Sequence, residues 1–415
     1  MSENGQIKCE KCGSTDISQN PKTGKLRCNY CRYEFEPEKS EEIVTDAGKL
    51  EGEHVNKGAE DITAGEDIVT LKCSSCGAEV VIDTRETTQA RCHWCRNTLS
   101  VNSKVANGAV PDVVLPFRIT KDEAKSSIEN FVGKRKFFAN KQFKNEFSIE
   151  NVMGVYFPYM IVDANEHVEL SGEAEKEVKQ YKKDSKDSVT YYDAQGYDIE
   201  REFDIAINGL TIEASRERID NASSIQTNNI VNSIMPFDTE NCVKFDSNYL
   251  RGYTSEKRDM NVKDIEPLAT KQIHDISRIA AKTTTKKYNR GVRWDVENYE
   301  NNGINWNASY LPVWLYSYLE KKNEKERLHY VAVNGRTGET MGSVPIDISR
   351  LLLVSFIVEI ISFVIFALWN MNAEDSDFSW IVLLAGIAFY IINFMRYRNS
   401  DARHNHETET NYKIS

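Results

Sequence analysis

Eight of the nine cysteines fall into two sets of four with one spacing. Cys9 and Cys12 are followed, after fifteen intervening residues, by Cys28 and Cys31; Cys73 and Cys76 are followed, after the same interval, by Cys92 and Cys95. Each member of the second set lies 64 residues after its counterpart, and the flanks repeat too: CEKCG matches CSSCG, and RCNYCR matches RCHWCR. Two residues between cysteines let a tight knuckle aim both sulfurs at one ion, and a hairpin returns the second knuckle. Zn2+ accepts four thiolates tetrahedrally and is then coordinatively closed, so the pattern predicts two structural zinc ions and no catalytic metal. Units this small bury too little apolar surface to fold alone, and metal binding supplies folding free energy. His93, between two ligands, is expected to be a bystander. The ninth thiol, Cys242, is expected to be a packing residue.

The elements that position these thiolates come next. Residues 1–36 and 69–104 read as zinc ribbons. Between them, residues 37–68 hold ten acidic residues, three lysines and no Phe, Trp or Tyr. Such a stretch buries little surface and predicts a flexible acidic linker. The first ribbon is therefore expected to swing free, and the second to pack near the next domain. With 415 residues the chain has room for two to three domains, and its net charge of −11 argues against broad attraction to nucleic acid. In the first ribbon Glu10, Asp16, Glu34 and Glu36 nearly cancel Lys22, Lys25 and Arg27, so protein docking is favoured over nucleic-acid binding.

Residues 110–345 have the composition of an α+β domain with antiparallel sheet. Thr120-Lys-Asp-Glu123 is a capping box opening a helix through about Phe131. GVYFPYMIVDANEHVELSGEAE reads as two strands with a turn near Asn165, and EREFDIAINGLTIEAS as a further strand pair. Apolar residues at Ile265, Leu268, Ile273, Ile276 and Ile279 predict a helix from Asp264 to about Thr284. LHYVAV, the turn Asn334-Gly335 and a short strand follow. YFPYMIV and YLPVWLY suggest an internal pseudo-repeat, with Pro158 and Pro312 at an edge or a bulge because neither can donate to a ladder. Tyr156, Tyr159, Trp314, Tyr316 and Tyr318 are expected in core and cross-strand packing, His167, His274 and His329 as ordinary surface or core residues, and the glycines of Asn334-Gly-Arg-Thr-Gly338 in a hairpin turn. No nucleophile elbow, phosphate loop or other catalytic constellation is present, so no enzyme is expected.

The C-terminal region contains apolar runs at 351–369 and 378–395 separated by the eight residues NMNAEDSD, and a tail at 396–415. Each run spans roughly 27–28 Å as a helix, close to the hydrocarbon thickness of a bilayer, and predicts a two-helix transmembrane hairpin. Arg350, Arg396, Arg398 and Arg403 flank the runs, while the intervening loop is acidic, so the N-terminal bulk and the C-terminus are expected on the cytoplasmic side of the plasma membrane. The N-terminus has no apolar core, so no signal peptide is expected. Glu359, near the middle of the first run, costs about 2.5–3.5 kcal/mol in a bilayer. Two roles remain open for it: a hydrogen bond inside the hairpin, to Asn393 or Ser362, or contact with a second membrane subunit.

The ribbons resemble those of transcription factors and helicases. The whole chain resembles zinc-ribbon membrane proteins of Gram-positive bacteria encoded beside PspA-type and SPFH-type envelope-stress proteins. The resemblance rests on the CxxCG…RCxxC ribbon, LPF at 115–117, VYFPYMIVDA at 155–164, NYLRGYTSE at 248–256, LPVWLYSY at 311–318 and VNGRTGETMG at 333–342. It implies a membrane-anchored adaptor that recruits PspA-like or SPFH-like proteins to the cytoplasmic membrane face. Some relatives are called primosomal-helicase-like from the ribbon alone, but this chain has no helicase Walker motif. The alternatives are a membrane-attached nucleic-acid binder and a sensor whose ribbon thiolates oxidise and release zinc.

Overall fold

A computed structural model describes residues 9–14, 17–20, 22–36, 46–60, 68–73, 78–83, 89–94, 98–100, 104–105, 111–182, 190–215, 234–250, 252–256, 258–322, 325–372, 384–398 and 411–414. Short strands come first. β1 (Ile17–Gln19), β2 (Leu26–Cys28) and β3 (Glu34–Phe35) form a small antiparallel sheet. β4 (Gly52–Val55) follows, then β5 (Ile68–Lys72), β6 (Glu79–Asp83), β7 (Gln89–Arg91), β8 (Thr98–Ser100) and β9 (Lys104–Val105) around the second cysteine set. β10 (Val113–Val114) leads to α1 (Lys121–Gly133), which carries the expected reciprocal cap between Thr120 and Glu123, and to α2 (Lys141–Glu146).

Three very long strands organise what comes after. β11 (Met153–Tyr181) has 29 residues, β12 (Tyr191–Glu213) has 23 and β15 (Gly291–Lys322) has 32. At about 3.3 Å per residue the longest reaches roughly 100 Å. β13 (Val243–Lys244), β14 (Thr254–Glu256) and α3 (Val262–Thr284) lie between β12 and β15 in the chain. β16 (Lys325–Asn334) and β17 (Thr340–Gly342) complete the expected turn at Asn334-Gly335. The chain ends in α4 (Ile348–Asn372), α5 (Ala385–Arg398) and β18 (Asn411–Ile414).

Several sequence expectations are corrected. No turn forms near Asn165: β11 runs straight through, with only a register shift against β15 between Asn165 and Glu166. EREFDIAINGLTIEAS likewise lies in one strand, β12, as far as Glu213. Glu200, Glu202 and Asp204 are exposed along that strand, whereas Ile205, Ile207 and Glu213 further on are buried.

The expected linker is also structured where it is described. β4 pairs in parallel with β15 from Gly303 to Trp306. Asn56 fixes it through its amide, which donates to Asn305 Oδ1 at 3.1 Å and Asn307 Oδ1 at 2.7 Å. Residues 37–45 and 61–67 of that segment lie outside the described residues. Nor does the first ribbon swing free. Ile17, Leu26 and Phe35 join one apolar cluster with Val114, Phe117, Tyr156 and Tyr249. The second cysteine unit is part of the main sheet through β6, which pairs with β14.

The expected two-helix transmembrane hairpin is not what forms. Among the described residues one helix, Ile348–Leu368, is long and apolar enough to cross a membrane. Among the described residues α5 has 14 residues, a length of about 21 Å, short of the ~30 Å hydrocarbon core. Its described part runs from Ala385 past the apolar stretch to Arg398. Residues 378–383 of the expected second span lie outside the described residues. Glu359 finds a partner within the chain, accepting from the Gly386 amide at 2.7 Å. The expected partner Asn393 donates instead to Phe389 O at 2.9 Å. The C-terminal end of α5 returns to the sheet body, where the Phe138 amide donates to the Tyr397 hydroxyl at 3.0 Å and Arg135 Nε to Arg396 O at 3.1 Å.

The two prolines occupy a shared position. Tyr156 pairs with Pro312 and Pro158 with Tyr310, centred on Phe157 opposite Leu311. On its other side Pro158 falls between the β14 pairing at Val155–Tyr156 and the β12 pairing that starts at Tyr159. Pro312 falls likewise between the β10 and β16 pairings. Each missing N–H therefore sits where one neighbour strand gives way to the next.

Candidate metal centre

The first cysteine set closes on itself. Cys9 Sγ lies 3.5 Å from Cys31 Sγ, and Cys12 Sγ lies 3.6 Å from Cys28 Sγ. All four sulfurs fall within 4.8 Å of one another. Four Zn–S bonds of about 2.3 Å make a tetrahedron with edges of roughly 3.8 Å, so this cage fits a metal ion of that size.

Two matched turns build the cage. The Gly13 amide donates to Cys9 O at 2.8 Å, and the Arg32 amide donates to Cys28 O at 2.9 Å. Both residues follow the second cysteine of a pair, and both are left-handed, with φ of 72° and 65°. Glycine takes that conformation freely, whereas arginine takes it at a cost that the closed site must offset. The backbone amide of Cys31, followed by that of Tyr30, lowers the Cys28 thiol to about 6 although burial acts against it, while the neighbouring Cys12 thiol, despite the Ser14 backbone acting to lower it, is pushed up by burial and by the three other thiols. Thiolate is the form that ligates metal.

The second set is described in part. Cys73 and Cys92 are buried, and the Cys73 amide donates to Ala78 O at 2.8 Å, as the Cys9 amide does to Ser14 O at 2.8 Å. Cys76 and Cys95 lie outside the described residues. Among the described residues one four-cysteine group, not two, could hold a metal. His93 is buried, its Nε2 lying 2.8 Å from Glu256 Oε1. Cys242 is buried in a cluster with Leu115 and Val313, and burial pushes its thiol pKa up. Tyr156, Tyr159, Trp314, Tyr316 and Tyr318 are all buried in the sheet body.

The histidines are less ordinary than their isolation in sequence implies. His329 Nε2 lies 3.3 Å from Glu320 Oε2. His274 stacks on Tyr299 at 3.7 Å and faces the buried Glu166 carboxylate at 3.8 Å. His167, Glu169 and Glu202 form a second group whose donor atoms lie within 4.8 Å. The signal for it was His-x-Glu in β11 and Glu-x-Asp in β12, which only the strand register could bring together.

Over 244 residues the chain is 26% identical to a Bacillus subtilis (strain 168) protein named Uncharacterized protein YdjG. The match covers 59% of this chain and 66% of that one, so the chain spans just under two thirds of that relative's length. No protein-family model matches the chain, and no solved structure matches it.

Proposed function

We propose that this protein is a non-enzymatic adaptor: a sheet body that docks partner proteins, held at a membrane by α4 and stiffened by zinc. The observation that carries this reading is the surface of α4. Leu353, Phe356, Ile361 and Phe363 are each more than half exposed on a helix whose first turn is rooted in the body at Leu351. A rigidly mounted, largely exposed apolar rod of 21 residues suits a bilayer far better than water. Zinc is the metal assigned to Cys9, Cys12, Cys28 and Cys31, and a second zinc ion is assigned to Cys73, Cys76, Cys92 and Cys95. Each closed four-thiolate set makes its ion structural. The partner class comes from the family resemblance: PspA-like or SPFH-like envelope-stress proteins at the cytoplasmic face.

Crosslinked purification of the full chain from membranes in mild detergent tests the adaptor role. Stable recovery of such a protein, lost when the docked first ribbon is deleted, is the expected result. Recovery of nuclease-sensitive nucleic acid with no protein partner overturns it.

A further inference from the structure

The β11–β12 ladder sets four ionisable side chains in two opposed pairs. His167 stands across from Asp204, and Glu169 across from Glu202. Residues two apart on a strand share a face, so all four project from one side of the ribbon. Val168, on the other side, packs into the apolar cluster that α3 covers with Ile265, Ile273 and Ile276. The four groups therefore stand on a braced ladder, not on a loop.

The imidazole is aimed. Its Nδ1 lies 2.6 Å from Asp204 Oδ1, which makes Nδ1 the protonated nitrogen and fixes the ring plane. A carboxylate holding one ring nitrogen is the usual support for a histidine whose other nitrogen binds metal. Nε2 lies 3.9 Å from Glu169 Oε1 and 3.8 Å from Glu202 Oε1. These separations are too long for hydrogen bonds of about 2.7–3.2 Å. They are close to a coordination shell instead, since bonds of about 2.1 Å put neighbouring donors roughly 3.0–3.4 Å apart. The two glutamates are half or more exposed and can make the small closing movement. Three carboxylates around one imidazole also leave net negative charge, which a dication relieves.

We propose that His167, Glu169 and Glu202 bind a divalent transition-metal ion, with Asp204 as the positioning residue behind the imidazole. One nitrogen and two carboxylate oxygens suit Zn2+ or Mn2+ and disfavour soft, thiolate-seeking ions. Three protein ligands leave open positions toward solvent. The bound ion ties β11 to β12 far from the cysteine cage. It is independent of the adaptor reading.

Mn2+ is the probe, because an oxygen-rich site takes it and a four-thiolate cage does not. The zinc-loaded full chain in detergent is titrated with Mn2+ and free ion is followed by electron paramagnetic resonance. The expected result is one bound Mn2+ per chain, with affinity falling at least about 10-fold in His167→Ala and in Glu202→Gln. Asp204→Asn is expected to weaken it by about 10–100-fold while leaving the stoichiometry unchanged. His329→Ala is expected to change nothing. Glu202 is exposed enough that its loss does not threaten folding, and circular dichroism of the metal-free variants checks this. Absence of saturable binding, or equal affinity in His167→Ala, Glu202→Gln and the parent, overturns the site.

Discussion

Glu359 Oε2 accepts a 2.7 Å hydrogen bond from the Gly386 amide, and this contact joins α5 to α4. The amides of a helix's first turn lack partners within the helix, and a carboxylate is a favourable acceptor there. Gly386 is needed for the approach: a Cβ at that position would lie 2.6 Å from Glu359 Oε2 and 2.6 Å from Ser355 O. Gly386→Ala is therefore expected to push the helices apart and cost about 1–3 kcal/mol. Glu359→Gln, which keeps an acceptor oxygen, is expected to cost less. Thermal unfolding in mild detergent reads both, and equal midpoints for Gly386→Ala and the parent would refute the seam.

The cysteine cage and its docking on the body should fail together. Cys28→Ser is expected to lower bound zinc by one ion per chain and to expose Ile17 and Leu26, which are fully buried in the parent. Metal analysis gives the first quantity, and limited proteolysis near β2 the second. Loss of zinc with unchanged protease resistance would show that the ribbon folds without its ion.

Much of this architecture was legible from residue patterns. The knuckles, the Thr120–Glu123 cap, α3 and the Asn334-Gly335 turn are local, and each follows from spacing and side-chain chemistry within a few residues. What the sequence hid depends on partners far along the chain. Asn56 reads as a linker residue until Asn305 and Asn307 come beside it. The polar outer parts of β11 and β12 look like turns because their pairing partners, not a buried face, hold them extended. The second apolar run looked like a membrane span by length, yet the Glu359 carboxylate at Gly386 fixes where its helix is bound to α4. His167 reads as an ordinary residue because Asp204 and Glu202 are remote from it in sequence.

Glu166 predicts how stability depends on pH. It is buried, its Oε2 has no hydrogen-bond partner among the described residues, and burial pushes its carboxyl up to about 7 from the ordinary 4.5. Between those values the folded chain holds a proton that the unfolded chain has released, so stability falls as pH rises through that window and then levels off. The shift corresponds to about 3 kcal/mol. His274, facing it at 3.8 Å, acts in the opposite sense, because burial lowers its pKa and its cost grows as pH falls below the ordinary imidazole value. Glu166→Gln removes the carboxylate contribution alone. Chemical denaturation at pH 5 and pH 8 is expected to show the variant losing less stability than the parent over that interval. Identical losses would refute the assignment.

Membrane attachment through α4 is the central claim, and vesicle flotation tests it most directly. The purified full chain is mixed with phosphatidylcholine–phosphatidylglycerol vesicles, washed with alkaline carbonate and spun through a density gradient. The parent is expected to float with the lipid. A Phe356→Lys, Ile360→Lys double variant, which places two charges costing about 2.5–3.5 kcal/mol each in the span, is expected to stay at the bottom. A parent chain that stays at the bottom, or a double variant that floats equally well, would contradict the account.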